Sequence, residues 1–213
     1  CEKLTKLTVK GNIESIDSSV FYNTAIKELQ VGKEVSSLKG TLYGLDALEK
    51  IEVEEGNESY ISKEGVLYNK EKTTLIRYPE SKTDITEYKV PDGVKIIGEN
   101  AFRENKTITK VELPKSVQSI KDDAFLSCGS LEEIKLSEGL ETIGNYAFAH
   151  CNGIKRADIP DSVKALGADT FYDCDSLEEV VLGKGLEKVG SETFRYCEKL
   201  TKLTVKGNIE SID

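Results

Sequence analysis

LEEIKLSEGLETIGNYAFAHC, residues 131–151, decides the fold, because its pattern of apolar, glycine and cysteine positions returns every 23 residues on both sides. With Leu131 opening a coil, the inward set is Leu131, Ile134, Leu136, Leu140, Ile143, Gly144, Ala147, Phe148 and Cys151. A shift of two such periods gives Leu177, Val180, Leu182, Leu186, Val189, Gly190, Thr193, Phe194 and Cys197. All five cysteines (Cys1, Cys128, Cys151, Cys174, Cys197) share one coil position, and all six phenylalanines (Phe21, Phe102, Phe125, Phe148, Phe171, Phe194) share another. Such self-similarity marks a solenoid whose units stack to bury their faces. About eight buried side chains at roughly 1.5–3 kcal/mol each do not offset ordering about 23 residues at roughly 1–2 kcal/mol each. A single coil therefore does not fold alone.

Within each coil, the alternation around residues 132–136 predicts a short parallel strand. Gly93, Ser116, Gly139, Ser162 and Gly185 fall at a turn, and Pro91, Pro114 and Pro160 end strands where a missing N–H does no harm. The i, i+1, i+4 spacing of AFxxC predicts one helical turn on the opposite side. The coil at Ile26 is degenerate, with Leu42 and Tyr43 in place of the Ala-Phe pair. The coil at Leu48 is interrupted by Tyr60–Lys82, which reads as a β-hairpin around a polar turn at Asn69–Lys72, with Pro79 stopping the second arm. The expectation is one repeat domain over 1–213, with the insertion at about 60–82.

The LxxIxL opening resembles the leucine-rich repeat, and the full LxxIxLPxxVxxIGxxAFxxC pattern resembles its BspA-like bacterial subclass. The insertion, with GVLYNK at 65–70 and LIRYP at 75–79, is similar to insertions of that subclass. The resemblance covers essentially the whole chain. It implies a right-handed solenoid with a parallel sheet on one face and short helical turns opposite. It further implies an extracellular or cell-surface protein that adheres to host or matrix proteins.

The net charge of -9, the pI near 4.9 and the lack of a basic run argue against nucleic acid or an anionic membrane as partner. No window approaches the ~18–20 apolar residues of a membrane span. Residues 1–17 reappear unchanged as residues 197–213, which predicts a fragment of a longer array in which Asp213 is followed by a copy of Ser18 onward. An odd cysteine count, with Thr24 and Asn105 at the same coil position, points to buried thiols rather than a disulfide framework. The single histidine, His150, takes a coil position held elsewhere by Glu104, Ser127, Asp173 and Tyr196, which reads as variable surface. No metal site, cofactor motif or nucleophile–base constellation is expected, so the chain reads as a non-enzyme.

The outward strand residues form the natural ligand face. One column reads Lys6, Glu28, Lys50, Glu87, Lys110, Glu133, Arg156, Glu179, Lys202, alternating in sign at every step. The next reads Thr8, Gln30, Glu52, Lys89, Glu112, Lys135, Asp158, Val181, Thr204. Stacked strands turn these into cross-strand ion pairs that resist register slips. Val181 and Thr204 break the lattice, so Arg156, Glu179, Val181 and Thr204 are candidate partner contacts. Tyr60, Tyr68, Arg77 and Tyr78 of the insertion are a second set, as aromatic and arginine anchors or as packing for the insertion. Protein binding leads. A spacer displaying another domain and a carbohydrate-binding module are the alternatives, and uncapped end coils allow end-to-end self-stacking.

Overall fold

The computed structural model describes residues 3–13, 20–21, 24–38, 42 and 44–212, with Ile212 by its backbone alone. The readings for Cys1, Ser18, Tyr43 and Asp213 lie outside these residues. The chain divides into two compact units, Cys1–Asp84 and Ile85–Asp213.

In the first unit, β1 (Lys6–Val9), β2 (Glu28–Val31) and β3 (Lys50–Val53) form a parallel sheet in which Leu7, Leu29 and Ile51 share one register position. The fully buried Ile26, Leu29, Leu45, Leu48 and Ile51 make its core. The insertion then forms β4 (Tyr60–Lys63), β5 (Val66–Asn69) and β6 (Thr74–Arg77), antiparallel in that order. This corrects the predicted two-armed hairpin: the Asn69–Lys72 turn exists, but a second reversal at Glu64-Gly65 precedes it. Both residues have positive φ, 54° and 79°, as a tight two-residue hairpin turn demands. The meander is fastened to β3 where the Ile51 N–H donates to Gly65 O at 2.9 Å and the Val53 N–H to Ser62 Oγ at 3.0 Å.

In the second unit each coil supplies a front strand and a short second strand. They are β7 (Glu87–Lys89), β8 (Ile96–Ile97), β9 (Lys110–Glu112), β10 (Ser119–Ile120), β11 (Glu133–Lys135), β12 (Thr142–Ile143), β13 (Arg156–Asp158), β14 (Ala165–Leu166), β15 (Glu179–Leu182), β16 (Lys188–Val189), β17 (Lys202–Val205) and β18 (Ser211–Ile212). The even-numbered strands form one unbroken parallel ladder. Between the ladders the phenylalanines stack, with centroids 4.7, 5.1, 5.2 and 6.0 Å apart from Phe102 to Phe194. Each described thiol donates to the Phe carbonyl of the preceding coil, Cys128 to Phe102, Cys151 to Phe125, Cys174 to Phe148 and Cys197 to Phe171, at 2.9–3.1 Å. These four cysteines are free thiols, three of them buried and Cys197 half-buried.

Two features depart from expectation. Among the described residues there is no α-helix: the AFxxC segment is a run of turns. In the first of these coils Ala101, Arg103 and Asn105 N–H donate back three residues, whereas Asn100, Phe102 and Glu104 N–H donate to the next coil. That alternation requires left-handed backbone at Asn100 and Glu104, and it recurs at Asp123 and Ser127, Tyr146 and His150, Asp169 and Asp173, and Glu192 and Tyr196. Inter-coil bonding thus replaces the i to i−4 bonds a helix would make. The second departure is that the front strands form two sheets, β7-β9-β11 and β13-β15-β17, not one.

Candidate interaction face

In the first unit the sign alternation becomes contacts. Lys6 Nζ lies 3.0 Å and Lys50 Nζ 3.4 Å from the Glu28 carboxylate, and Lys50 also reaches Glu52 at 3.0 Å. The ammonium of Lys6, with Lys50 adding its charge, holds Glu28 below the ordinary carboxylate range. Where the second column loses its alternation, a cleft of about 240 Å³ opens beside Thr8, Lys10, Gln30, Gly32, Glu52 and Glu54.

The second unit repeats the device. Lys110 pairs with Glu133 at 2.8 Å and Lys89 with Glu112 at 3.5 Å. Arg156 bonds both Glu179 and, at 2.7 Å, Asp158 of its own strand, while Lys202 reaches Glu179 at 2.6 Å. Lys110 lowers Glu133, and Lys202 followed by Arg156 lowers Glu179. Arg156, Glu179, Val181 and Thr204 therefore sit together on β13, β15 and β17. Val181, read from the sequence as an outward residue, is only 8% exposed and offers a partner little surface.

The insertion residues are placed differently. Tyr68, Arg77 and Tyr78 are buried, at 2%, 3% and 0% exposure, and Arg77 is ion-paired with buried Glu80. Burial, with the nearby charge of Asp84, pushes the Tyr78 phenol further from ionisation. These three pack the interior, in line with the second of the two readings of the insertion. Tyr60 is half-buried and donates its hydroxyl to Ser36 O at 3.2 Å.

Column reading of the strand face did not show a turn-side cluster. His150 Nδ1 lies 2.8 Å from Asp173 Oδ2, its ring packs edge-on to Tyr172 at 5.6 Å, and Tyr172 packs edge-on to Tyr196 at 5.3 Å. The Arg195 guanidinium stands 4.7 Å over the Tyr196 ring. The sequence signal for this cluster lies in the coil positions of residues 172 and 173. Burial pushes the Cys151 thiol up, Cys197 hydrogen bonding together with burial does so for Cys174, and the same Cys174–Cys197 contact draws the half-buried Cys197 thiol down. Among the described residues no group of three or more His, Cys, Asp or Glu suits a metal ion, and no helix is long and apolar enough to cross a membrane.

Parallel ladders stacked on buried phenylalanine and thiol columns, with a charged face outside, define a leucine-rich-repeat solenoid. The chain belongs to the BspA type leucine rich repeat region family, whose model matches residues 1–89 and 95–213 in six copies. No match to a curated protein is found. The pneumococcal vaccine antigen PcpA is similar over 97% of this chain and 49% of its own, with 30% identity and a TM-score of 0.79. A leucine-rich cell surface protein of Faecalibacterium prausnitzii A2-165 is similar over 98% and 61%, with 26% identity and a TM-score of 0.83. A leucine-rich repeat protein of Eubacterium ventriosum is similar over 93% and 55%, with 30% identity and a TM-score of 0.80. The chain thus spans about half to three-fifths of these relatives' lengths.

Proposed function

We propose that residues 1–213 form one repeat domain acting as a non-enzymatic protein-binding module, displayed outside the cell or on its surface, with a host or matrix protein as ligand. Leucine-rich-repeat proteins of this family serve protein–protein interaction, and the similar structures include a cell surface protein and a vaccine antigen. The observation that carries the reading is the exposed front face, where ion pairs fix Arg156, Glu179 and Lys202 in register across three strands. Ordered charges of this kind confer specificity more than raw affinity. The same pairing favours a second reading, a spacer whose face satisfies itself and holds another domain outward. Surface plasmon resonance of the chain against immobilised matrix proteins, serum glycoproteins and glycans tests both. Saturable, salt-weakened binding of a protein is expected; no binding across the panel would leave the spacer, and binding of glycans alone would displace the protein ligand.

A further inference from the structure

At the other front steps within either unit, the first strand residues donate to the preceding coil: Lys27 to Thr5, Glu49 to Lys27, Thr109 to Thr86, Glu132 to Thr109, Glu178 to Lys155 and Thr201 to Glu178. At the far end of the strand Leu113 N–H reaches Lys135 O, and Ile159 N–H reaches Val181 O. The step from β11 to β13 makes neither kind of bond. Among the described residues no strand pairing joins them, and the equivalent bonds, Lys155 N–H to Glu132 O and Leu136 N–H to Asp158 O, are not made, which leaves a seam in the front face. The seam has an apolar floor. Ile134 and Leu136 are half-buried there, whereas Val111 and Leu113, one coil earlier, are 0% and 4% exposed. Ala157, buried at 2% exposure, is the small member of the column that holds Val111, Ile134 and Val180 elsewhere.

We infer that this seam is a β-augmentation site for an extended segment of a partner protein. Two opposed strand edges with unmet donors and acceptors are matched by a strand and by little else. A strand inserted there would lie about 4.8 Å from each neighbour and bond to both. Its composition follows from what flanks it. Inward residues must be apolar, to cover Ile134 and Leu136. Outward residues would stand between Glu133 and Arg156, then between Lys135 and Asp158, opposite signs at each level. A charge at either level gains one neighbour and opposes the other, so uncharged residues such as threonine fit best. The partner segment is therefore alternating apolar and neutral, unlike the charged strands of the chain itself.

The inference rests on the protein-binding reading and specifies where and by what the front face binds. The test uses an end-capped peptide of alternating valine and threonine, a version with lysine and glutamate in place of threonine, and a version N-methylated on alternate amides. Fluorescence polarisation is expected to show the first binding at least ~10-fold more tightly than the other two, about 1.4 kcal/mol per decade. Hydrogen exchange of the unmodified chain is expected to show fast amides at Lys155 and Leu136, slowed by the first peptide. Ile134→Glu places a charge on the floor and is expected to weaken the peptide about tenfold. Because that variant could lose its coil, the exchange and N-methyl measurements stand independently of it. Amides of Lys155 and Leu136 as protected as those of Glu132 and Leu113 in the free chain, or equal binding of the N-methylated peptide, would overturn the seam. If a panel protein still binds through the front charges in that case, the protein-binding reading survives; if the peptide binds and no panel protein does, the seam stands and the host ligand does not.

Discussion

Asn57 joins two coils of the first unit through four side-chain hydrogen bonds. Its Nδ2 donates to Gly32 O and Val35 O at 2.9 and 2.8 Å, and its Oδ1 accepts from Ser59 and Tyr60 N–H at 2.8 and 2.7 Å, at 1% exposure. The amide ties the entry of the insertion to the preceding coil. Asn57→Asp would remove both donors and aim a carboxylate at two carbonyl oxygens, at a cost of about 3 kcal/mol, readable as a lower denaturant midpoint with an unchanged slope. The N-x-S pattern at Asn57 was visible in the sequence and meant nothing chemical, since a buried, fully bonded amide is closed to modification. Ser127 makes the opposite case. It holds φ at 59° with an ordinary side chain, so Ser127→Gly is expected to stabilise by up to ~1 kcal/mol and Ser127→Val to destabilise by at least as much. Thermal melting checks both signs. Tyr68, Arg77 and Tyr78 were equally ambiguous in sequence, because aromatic and arginine residues serve interiors and interfaces alike, and only their exposure separates the two.

Among elements, the parallel strands and the phenylalanine and cysteine columns were legible because a period of 23 places each inward residue on its copies. The turns were not, because the feature that sets them, left-handed backbone at two positions per coil, is filled by Asn, Asp, Glu, Ser, Tyr and His and leaves no compositional mark. The Glu64-Gly65 reversal was hidden by its neighbour: Asn69–Lys72 is the longer and more polar turn, and alternation on both sides of it left room for only two arms. The seam between β11 and β13 was invisible because Glu133 and Arg156 continue the sign alternation across a step the backbone does not close. The front strands also have a pH signature. Glu28, Glu133 and Glu179 are held below their ordinary value chiefly by Lys6, Lys110 and Lys202. A carboxyl whose value is lower folded than unfolded adds stability that is present above its ordinary, unfolded value and is lost as pH falls through the lowered one. Melting temperature is therefore expected to hold from neutral pH to the ordinary carboxylate range and then decline. Lys110→Gln should flatten that decline, and a profile identical to the unmodified chain's would remove the ion pairs as its cause.

For the molecule as a whole, the question is whether its charged face serves a partner or only itself, and pattern can be separated from pairing. Arg156, Asp158, Glu179 and Lys202 form a closed set of contacts: Arg156 with Asp158 and Glu179, and Lys202 with Glu179. Replacing them together by Arg156→Glu, Asp158→Lys, Glu179→Lys and Lys202→Glu keeps every contact between opposite charges and leaves the net charge of -9 unchanged. Register and solubility depend on those pairings and not on which strand carries which sign, so the melting temperature is expected to stay unchanged. A protein partner reads absolute sign, and like charges set against it cost several kcal/mol. Loss of at least ~10-fold in affinity from a chain that melts unchanged would therefore mark β13, β15 and β17 as the contact surface. Unchanged affinity would move the contact to the turn-side cluster or the first unit, and a chain that melts unchanged yet never bound a protein would be behaving as a spacer should.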